Sequence, residues 1–159
     1  MFRIGIGNDT HRLVAERPLI LGGVNIPYEF GAEGHSDSDA LAHALIDALL
    51  GAMADGDIGA HFPDSDPQWK DANSLEMLAH VVRLANKRGF HVVNADATIM
   101  LERPRLRAYV YAMRANVART LQIEIDAVSV KAKTGEGLDA VGRGEAVSAQ
   151  AIILLSNEK

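Results

Sequence analysis

Asp9-Thr10-His11, His35-Ser36-Asp37, His43 and Lys133-Thr134-Gly135-Glu136 are the stretches of this chain whose side chains can do chemistry. Asp9 and His11 lie two residues apart, so in an extended strand both project from the same face. A carboxylate and an imidazole placed that way can share one cation, and His43 can complete a set of three ligands. Three protein ligands and an open position describe a working zinc site, because a structural zinc normally has all four positions closed. Alone, His43 in mid-helix at the edge of an apolar stripe reads more readily as a packed core histidine. Asp39 and Asp47 each lie one turn from it, and either can orient its second ring nitrogen; Asp39 serves equally well as a cap.

His35 and Ser36 precede a helix, where backbone N–H groups and the helix dipole favour a phosphate. His35-Ser36-Asp37-Ser38-Asp39 also reads as a plain N-cap with redundant carboxylates. Glu136, between Gly135 and Gly137, can hold a hard cation together with phosphate oxygens, or be a solvated turn residue. Arg143 in Gly142-Arg143-Gly144-Glu145 is a turn residue or an anion contact at a subunit junction. Asp57-Ile58-Gly59 and Phe62-Pro63-Asp64-Ser65-Asp66 read as turns from which no chemistry follows by itself.

These residues need strands and helices to bring them together. Residues 2–7 and 18–26 have strand character, the second holding the apolar run Leu19-Ile20-Leu21 closed by Gly22-Gly23. Asp37 or Asp39 can cap a helix reaching about Ala54, with Leu41, Ala44, Leu45, Ala48, Leu49 and Ala52 as its apolar stripe. Residues 55–71 form a loop rich in Asp, Gly and Pro, and Asn73-Ser74-Leu75-Glu76 resembles a capping box for a helix stopped by Gly89. A strand over 91–101, a helix from Pro104 to about Leu121, a strand over Val128–Lys133 and a final strand over Glu145–Leu155 follow. The small or branched residues Val147, Ala149, Ala151, Ile153 and Leu155 share one face of that last strand and suit close packing. The alternation predicts an α/β (α+β) sandwich, a mixed sheet with helices on one face.

Composition removes several function classes. A length of 159 residues suits one domain, 1–159, and 48% hydrophobic with 23% charged residues is ordinary for a globular protein. Zero cysteines exclude disulfides and thiolate ligands, so any metal must be held by nitrogen and oxygen. A net charge of −5 argues against a nucleic-acid surface, and no apolar run is long enough for a membrane span. The N-terminus enters strand-like sequence without the zones of an export signal, which, with the lack of cysteine, fits the cytoplasm.

Taken in order, His35-Ser36-Asp37-Ser38-Asp39 with His43-Ala44-Leu45, Gly56-Asp57-Ile58-Gly59, Phe62-Pro63-Asp64-Ser65-Asp66-Pro67 and Gly142-Arg143-Gly144-Glu145 resemble the 2-C-methyl-D-erythritol 2,4-cyclodiphosphate synthase family, across nearly the whole chain. The resemblance implies a homotrimer around a central channel with active sites between subunits. It implies zinc on Asp9, His11 and His43, and a second divalent ion, magnesium or manganese, on Glu136. His35 and Thr134 match positions that steady the transition state. Asp57, Ile58 and Gly59 and the loop Phe62, Pro63, Asp64, Ser65 and Asp66 match the pocket for the methylerythritol moiety. Leu101, Pro104, Arg105, Leu106, Ala132 and Lys133 match a cytidine pocket supplied by the adjoining subunit. With Asp9, His11, His35, Ser36, Thr134, Glu136 and Arg143, these are the expected contacts of a small phosphorylated substrate.

The implied reaction is intramolecular. The 2-phosphate of 4-diphosphocytidyl-2-C-methyl-D-erythritol 2-phosphate attacks the β-phosphorus, a cyclic diphosphate closes and CMP departs. A metal-dependent phosphoesterase using the same residues, and a non-catalytic trimeric binding protein, are the rival readings. The chain departs from the family pattern at Asn8, where many relatives carry an aromatic and where only packing around the ligands should change. It departs also at Lys133, in place of a small hydroxyl residue, and at Ala140, in place of a phenylalanine lining the central cavity.

Overall fold

Along the first strand, β1 (Phe2–Ala15), burial alternates from Phe2 to Leu13: Gly5, Gly7 and Leu13 are covered, while Phe2, Ile4, Ile6, Asn8 and Thr10 are exposed. The structure is a computed structural model describing residues 1–158. β1 pairs antiparallel with the last strand, β7 (Ala146–Ser156), from Phe2 opposite Ser156 to Arg12 opposite Ala146. Beyond β7 lies β5 (His91–Met100), antiparallel to it with a register shift between Val92 and Asn94. Next comes β6 (Val128–Lys133), parallel to β5. A parallel pair needs a crossover, and α4 (Val110–Leu121) lies within that connection. With the short β4 (Phe30–Ala32) outside β1, the order is β4-β1-β7-β5-β6. Two further strands, β2 (Leu19–Leu21) and β3 (Val24–Ile26), form a separate hairpin through Gly22-Gly23, both at positive φ.

The helices cover one face of the sheet. α1 (Ala40–Ala52) crosses β1 and β7; α3 (Ser74–Lys87) packs on α1, and α4 packs on α3 and β6. The expected apolar stripe on α1 proves too narrow a description. Within α1 only Asp47 and Gly51 escape burial, because the helix lies between the sheet and α3 and is covered nearly all round. Its approach to β1 depends on two missing side chains. A Cβ on Gly5 would sit 1.9 Å from the Ala48 carbonyl oxygen, and one on Gly7 2.1 Å from that of Ala44.

The sequence and the structure differ in four places. β1 runs to Ala15 rather than ending near residue 7, because β4 extends its pairing to Ala15. The 55–71 loop contains a short helix, α2 (Ile58–His61), and a 3-10 turn at Pro67–Trp69; Asp57 and Asp66, read there as turn residues, are their caps. α4 starts at Val110 and not after Pro104, since Leu106 dips into the core and the Tyr109 N–H closes a turn onto its carbonyl at 2.9 Å. Finally, residues 18–26 are two short strands folded back at Gly22-Gly23 rather than one. Val147, Ala149, Ala151, Ile153 and Leu155 are buried on the helix side, as their suitability for close packing implies, so the main exposed apolar surface lies elsewhere. That surface belongs to Phe2, Ile4 and Ile6 of β1, joined by Ile152. Among the described residues no helix is long and apolar enough to cross a membrane.

Candidate active site

Because β1 is extended, Asp9 and His11 point to the helix side, where α1 brings His43 down on them. His11 Nε2 lies 2.7 Å from Asp9 Oδ2, His43 Nδ1 lies 3.0 Å from the same oxygen, and the two ring nitrogens are 3.2 Å apart. One donor atom from each residue therefore falls within 4.8 Å of the others, and the set is two imidazole nitrogens and a carboxylate oxygen. Such a borderline-to-hard donor set, with no thiolate, suits zinc. Burial raises the Asp9 carboxyl, but hydrogen bonds and charge from His11 and His43 outweigh it and hold the group well below the usual carboxylate range. Burial lowers His11, but its contacts with Asp9 and the Glu33 carbonyl overcome this and leave the imidazole raised.

Each imidazole is also held from behind. His11 Nδ1 lies 2.8 Å from the Glu33 carbonyl, which can only accept, so Nδ1 carries the proton and Nε2 offers a lone pair. Behind His43 stand hydroxyls: its Nε2 is 2.8 Å from Ser74 Oγ and 3.1 Å from Ser36 Oγ. Neither aspartate expected to orient His43 contacts that nitrogen. Asp39 is the N-cap of α1, accepting from Ala42 N–H, and its two oxygens also accept from Gly22 and Gly23 N–H at 2.9 and 2.7 Å. Burial pushes its carboxyl up against those three donors. Asp47 instead accepts from Ile58 N–H at 2.7 Å, tying α1 to the start of α2. Ser74 was legible only as part of a cap; nothing in its neighbours Asn73 and Leu75 marks a contact with a residue 31 positions away. Asn8 points to the opposite face, where its side chain accepts from Gln150 at 2.8 Å, so it leaves the packing around the ligands untouched.

In front of the triad opens a cavity of about 410 Å³, lined by His11, His35, Ser36, His43 and, on the loop side, Ile58, Gly59, Phe62, Asp64 and Trp69. His35 lines this cavity, and its Nε2 is buried with no hydrogen-bond partner, a state unusual for a polar atom. Phe62 packs edge-on to Trp69 at 4.8 Å and braces the wall. Trp69 and Met77 also line this cavity and were not singled out from the sequence. Asp57 and Asp66 spend carboxylate oxygens on Ala60 and Gln68 N–H at 3.0 Å each, and Pro63 and Ser65 lie outside the lining.

The remaining candidates gather elsewhere. Leu101, Pro104, Arg105, Leu106, Ala132, Lys133 and Thr134 line a second cavity of about 390 Å³. Strand register sets Lys133 level with Met100, Ser148 and Thr10. Directly paired residues share a face, so its side chain leaves the sheet on the side of Ile4 and Ile6, opposite the triad and three strand spacings away, roughly 14 Å. Glu136, at positive φ, is exposed next to that cavity and accepts from the Thr134 hydroxyl at 2.8 Å. Arg143 is exposed and forked onto Glu145 with two contacts of 3.0 Å.

Comparison with known proteins identifies the family. The YgbB family matches residues 2–156. The chain is 57% identical over 155 residues to the 2-C-methyl-D-erythritol 2,4-cyclodiphosphate synthase of Geobacillus kaustophilus (strain HTA426), covering 98% of each. A solved 2C-methyl-D-erythritol-2,4-cyclodiphosphate synthase in a CDP-bound form superposes with a TM-score of 0.90 at 42% identity, over 97% of this chain and 100% of that one. The bifunctional IspDF of Campylobacter jejuni gives a TM-score of 0.93 at 39% identity; 98% of this chain is covered but only 42% of that longer one.

Proposed function

The chain belongs to the YgbB family, and from that premise we propose that it is a 2-C-methyl-D-erythritol 2,4-cyclodiphosphate synthase. It converts 4-diphosphocytidyl-2-C-methyl-D-erythritol 2-phosphate to 2-C-methyl-D-erythritol 2,4-cyclodiphosphate with release of CMP, in the non-mevalonate route to isoprenoid precursors. An oxygen of the 2-phosphate forms a bond to the β-phosphorus as the bond from that phosphorus to the bridging oxygen breaks, and the electron pair leaves with CMP. The observation that carries the reading is the convergence of Asp9, His11 and His43 at the wall of a cavity lined also by His35, Ser36 and Asp64.

Two phosphates repel one another, so the chain's task is to align and neutralise them rather than to supply a nucleophile. Asp9 Oδ2, His11 Nε2 and His43 Nδ1 would hold a zinc ion, which when bound supplies charge neutralisation and polarisation at the β-phosphate. His35 would steady the transition state from the cavity wall, beside Ser36. Ile58, Gly59 and Phe62 enclose the methylerythritol carbons and limit water at the reacting phosphorus. Asp57 and Asp66 shape that wall by capping its turns. Glu136 would hold a second divalent ion, magnesium or manganese, sharing it with substrate phosphates, with Thr134 steadying the transition state beside it.

The active unit on this reading is a homotrimer around a central channel. Lys133 and the triad leave opposite faces of one sheet, which favours a cytidine pocket (Leu101, Pro104, Arg105, Leu106, Ala132 and Lys133) serving the triad of an adjoining copy. The exposures of Phe2, Ile4 and Ile6, at 61, 70 and 57%, form an apolar patch that a second copy would cover. Arg143 would contact an anion at the junction of copies, and the cytoplasm is the compartment proposed. Incubation with the diphosphocytidyl substrate, zinc and magnesium tests the reaction: cyclic diphosphate and CMP are expected. Methylerythritol 2,4-bisphosphate with CMP would make the protein a hydrolase and overturn the proposal.

A further inference from the structure

The two candidate zinc imidazoles are held from behind by unlike means, a carbonyl for His11 and hydroxyls for His43, and a hydroxyl does not by itself decide which ring nitrogen is protonated. The decision comes from one residue further back. The Ser74 hydroxyl donates to Asp37 Oδ1. A carboxylate can only accept, so the single proton of Ser74 is committed to Asp37, and Ser74 Oγ has only lone pairs left for His43 Nε2, 2.8 Å away. That nitrogen must therefore carry a proton, and Nδ1 keeps the lone pair aimed at Asp9 and His11.

Resting on the zinc site proposed above, we propose that Asp37 and Ser74 are positioning residues forming a carboxylate–hydroxyl–imidazole relay that fixes the tautomer and ring orientation of His43. Asp37 is itself held in place: its Oδ2 accepts from Ser74 N–H at 3.1 Å and its Oδ1 from Asp39 N–H at 3.2 Å. Ser36 is the weaker partner. It stands at 3.1 Å from His43 Nε2 and already accepts from Ser38 N–H at 3.1 Å. Ser74 is fully buried at the first turn of α3, so no solvent molecule competes for the relay from its own surface. Backbone bonds from Asp37 N–H to the Ala72 carbonyl, 3.1 Å, and from Asp71 N–H to the His35 carbonyl, 2.9 Å, splice the relay into the end of the 55–72 loop. An outer partner of a metal-bound imidazole typically changes metal affinity by about 10–100-fold when removed.

Zinc titration of the metal-stripped protein against a chromophoric chelator tests the relay, paired with the NMR signal of the His43 Nε2–H in the zinc-loaded protein. Ser74→Ala is expected to weaken zinc by about 10–100-fold and to move that proton upfield with faster solvent exchange, whereas Ser74→Thr keeps both near wild type. Asp37→Asn preserves side-chain shape and is expected to shift affinity and signal in the same direction, and it reads the relay should Ser74→Ala not fold. The relay is overturned if Asp37→Asn or a folded Ser74→Ala binds zinc as tightly as wild type, or if the Nε2–H signal does not move. Wild-type protein that binds no zinc overturns the metal site itself, and that result is recognised before any substitution is made.

Discussion

At the scale of residues, the proposed function rests on three side chains whose spacing is local for one pair and remote for the third. Asp9 and His11 are a strand pair readable by eye; His43 joins them only because α1 is laid across β1. His43→Ala is expected to abolish zinc retention and lower cyclic-product formation by at least about 100-fold, more than the loss of an outer partner costs; metal analysis and a product assay check both. The raised His11 adds a proton dependence. Its raised state favours the protonated ring, and zinc must displace that proton, so affinity should fall as pH drops from 8 towards the ordinary histidine value of 6.5 and below. An affinity unchanged between pH 8 and pH 6, measured by chelator competition, would contradict that sign.

Elements explain what the residues alone could not. The helix over 40–52, the cap at Asp39 and the strand pair of Asp9 and His11 were legible because apolar spacing and capping chemistry are local signals. The partners of His43 were not. Two aspartates one turn away in sequence looked like its orienters, yet Asp39 is turned to backbone N–H groups and Asp47 to Ile58, while Ser74 arrives from the next helix. Pro104 likewise advertised a helix start that the burial of Leu106 postpones to Val110. Close approach of α1 to β1 was equally hidden, since glycines in a strand pattern do not say what faces them. Gly7→Ala would thrust a methyl at the Ala44 carbonyl and within 2.6 Å of the Ala48 nitrogen. It should cost about 1–3 kcal/mol or more and shift α1 with His43, seen as a lower Tm together with poorer zinc retention. Gly51→Ala on α1, where the nearest atom is 3.8 Å away, should instead leave zinc unchanged and stabilise by about 0.5–1 kcal/mol.

For the whole molecule, the exposed stripe of Phe2, Ile4, Ile6 and Ile152 sets the expectation about assembly. Ile4→Asp with Ile6→Asp alters side chains that touch little within their own chain, so the fold should survive with a stability change within about 0.5 kcal/mol per site. Sedimentation should then report single chains and the product assay a loss of cyclisation, while circular dichroism stays as in wild type. A wild-type chain that sediments alone and is fully active would remove the trimer from the account. Parity along β1 ties these two fates together. Its odd-numbered positions, from Gly5 to His11, serve the helix and the ligands; its even-numbered ones, from Phe2 to Thr10, serve the outside. One inserted or deleted residue between Ile6 and Asp9 would invert that assignment for every position beyond it. The proposed chemistry and assembly are thus written on alternate letters of one short stretch, and an evolutionary slip of a single letter could not spare either.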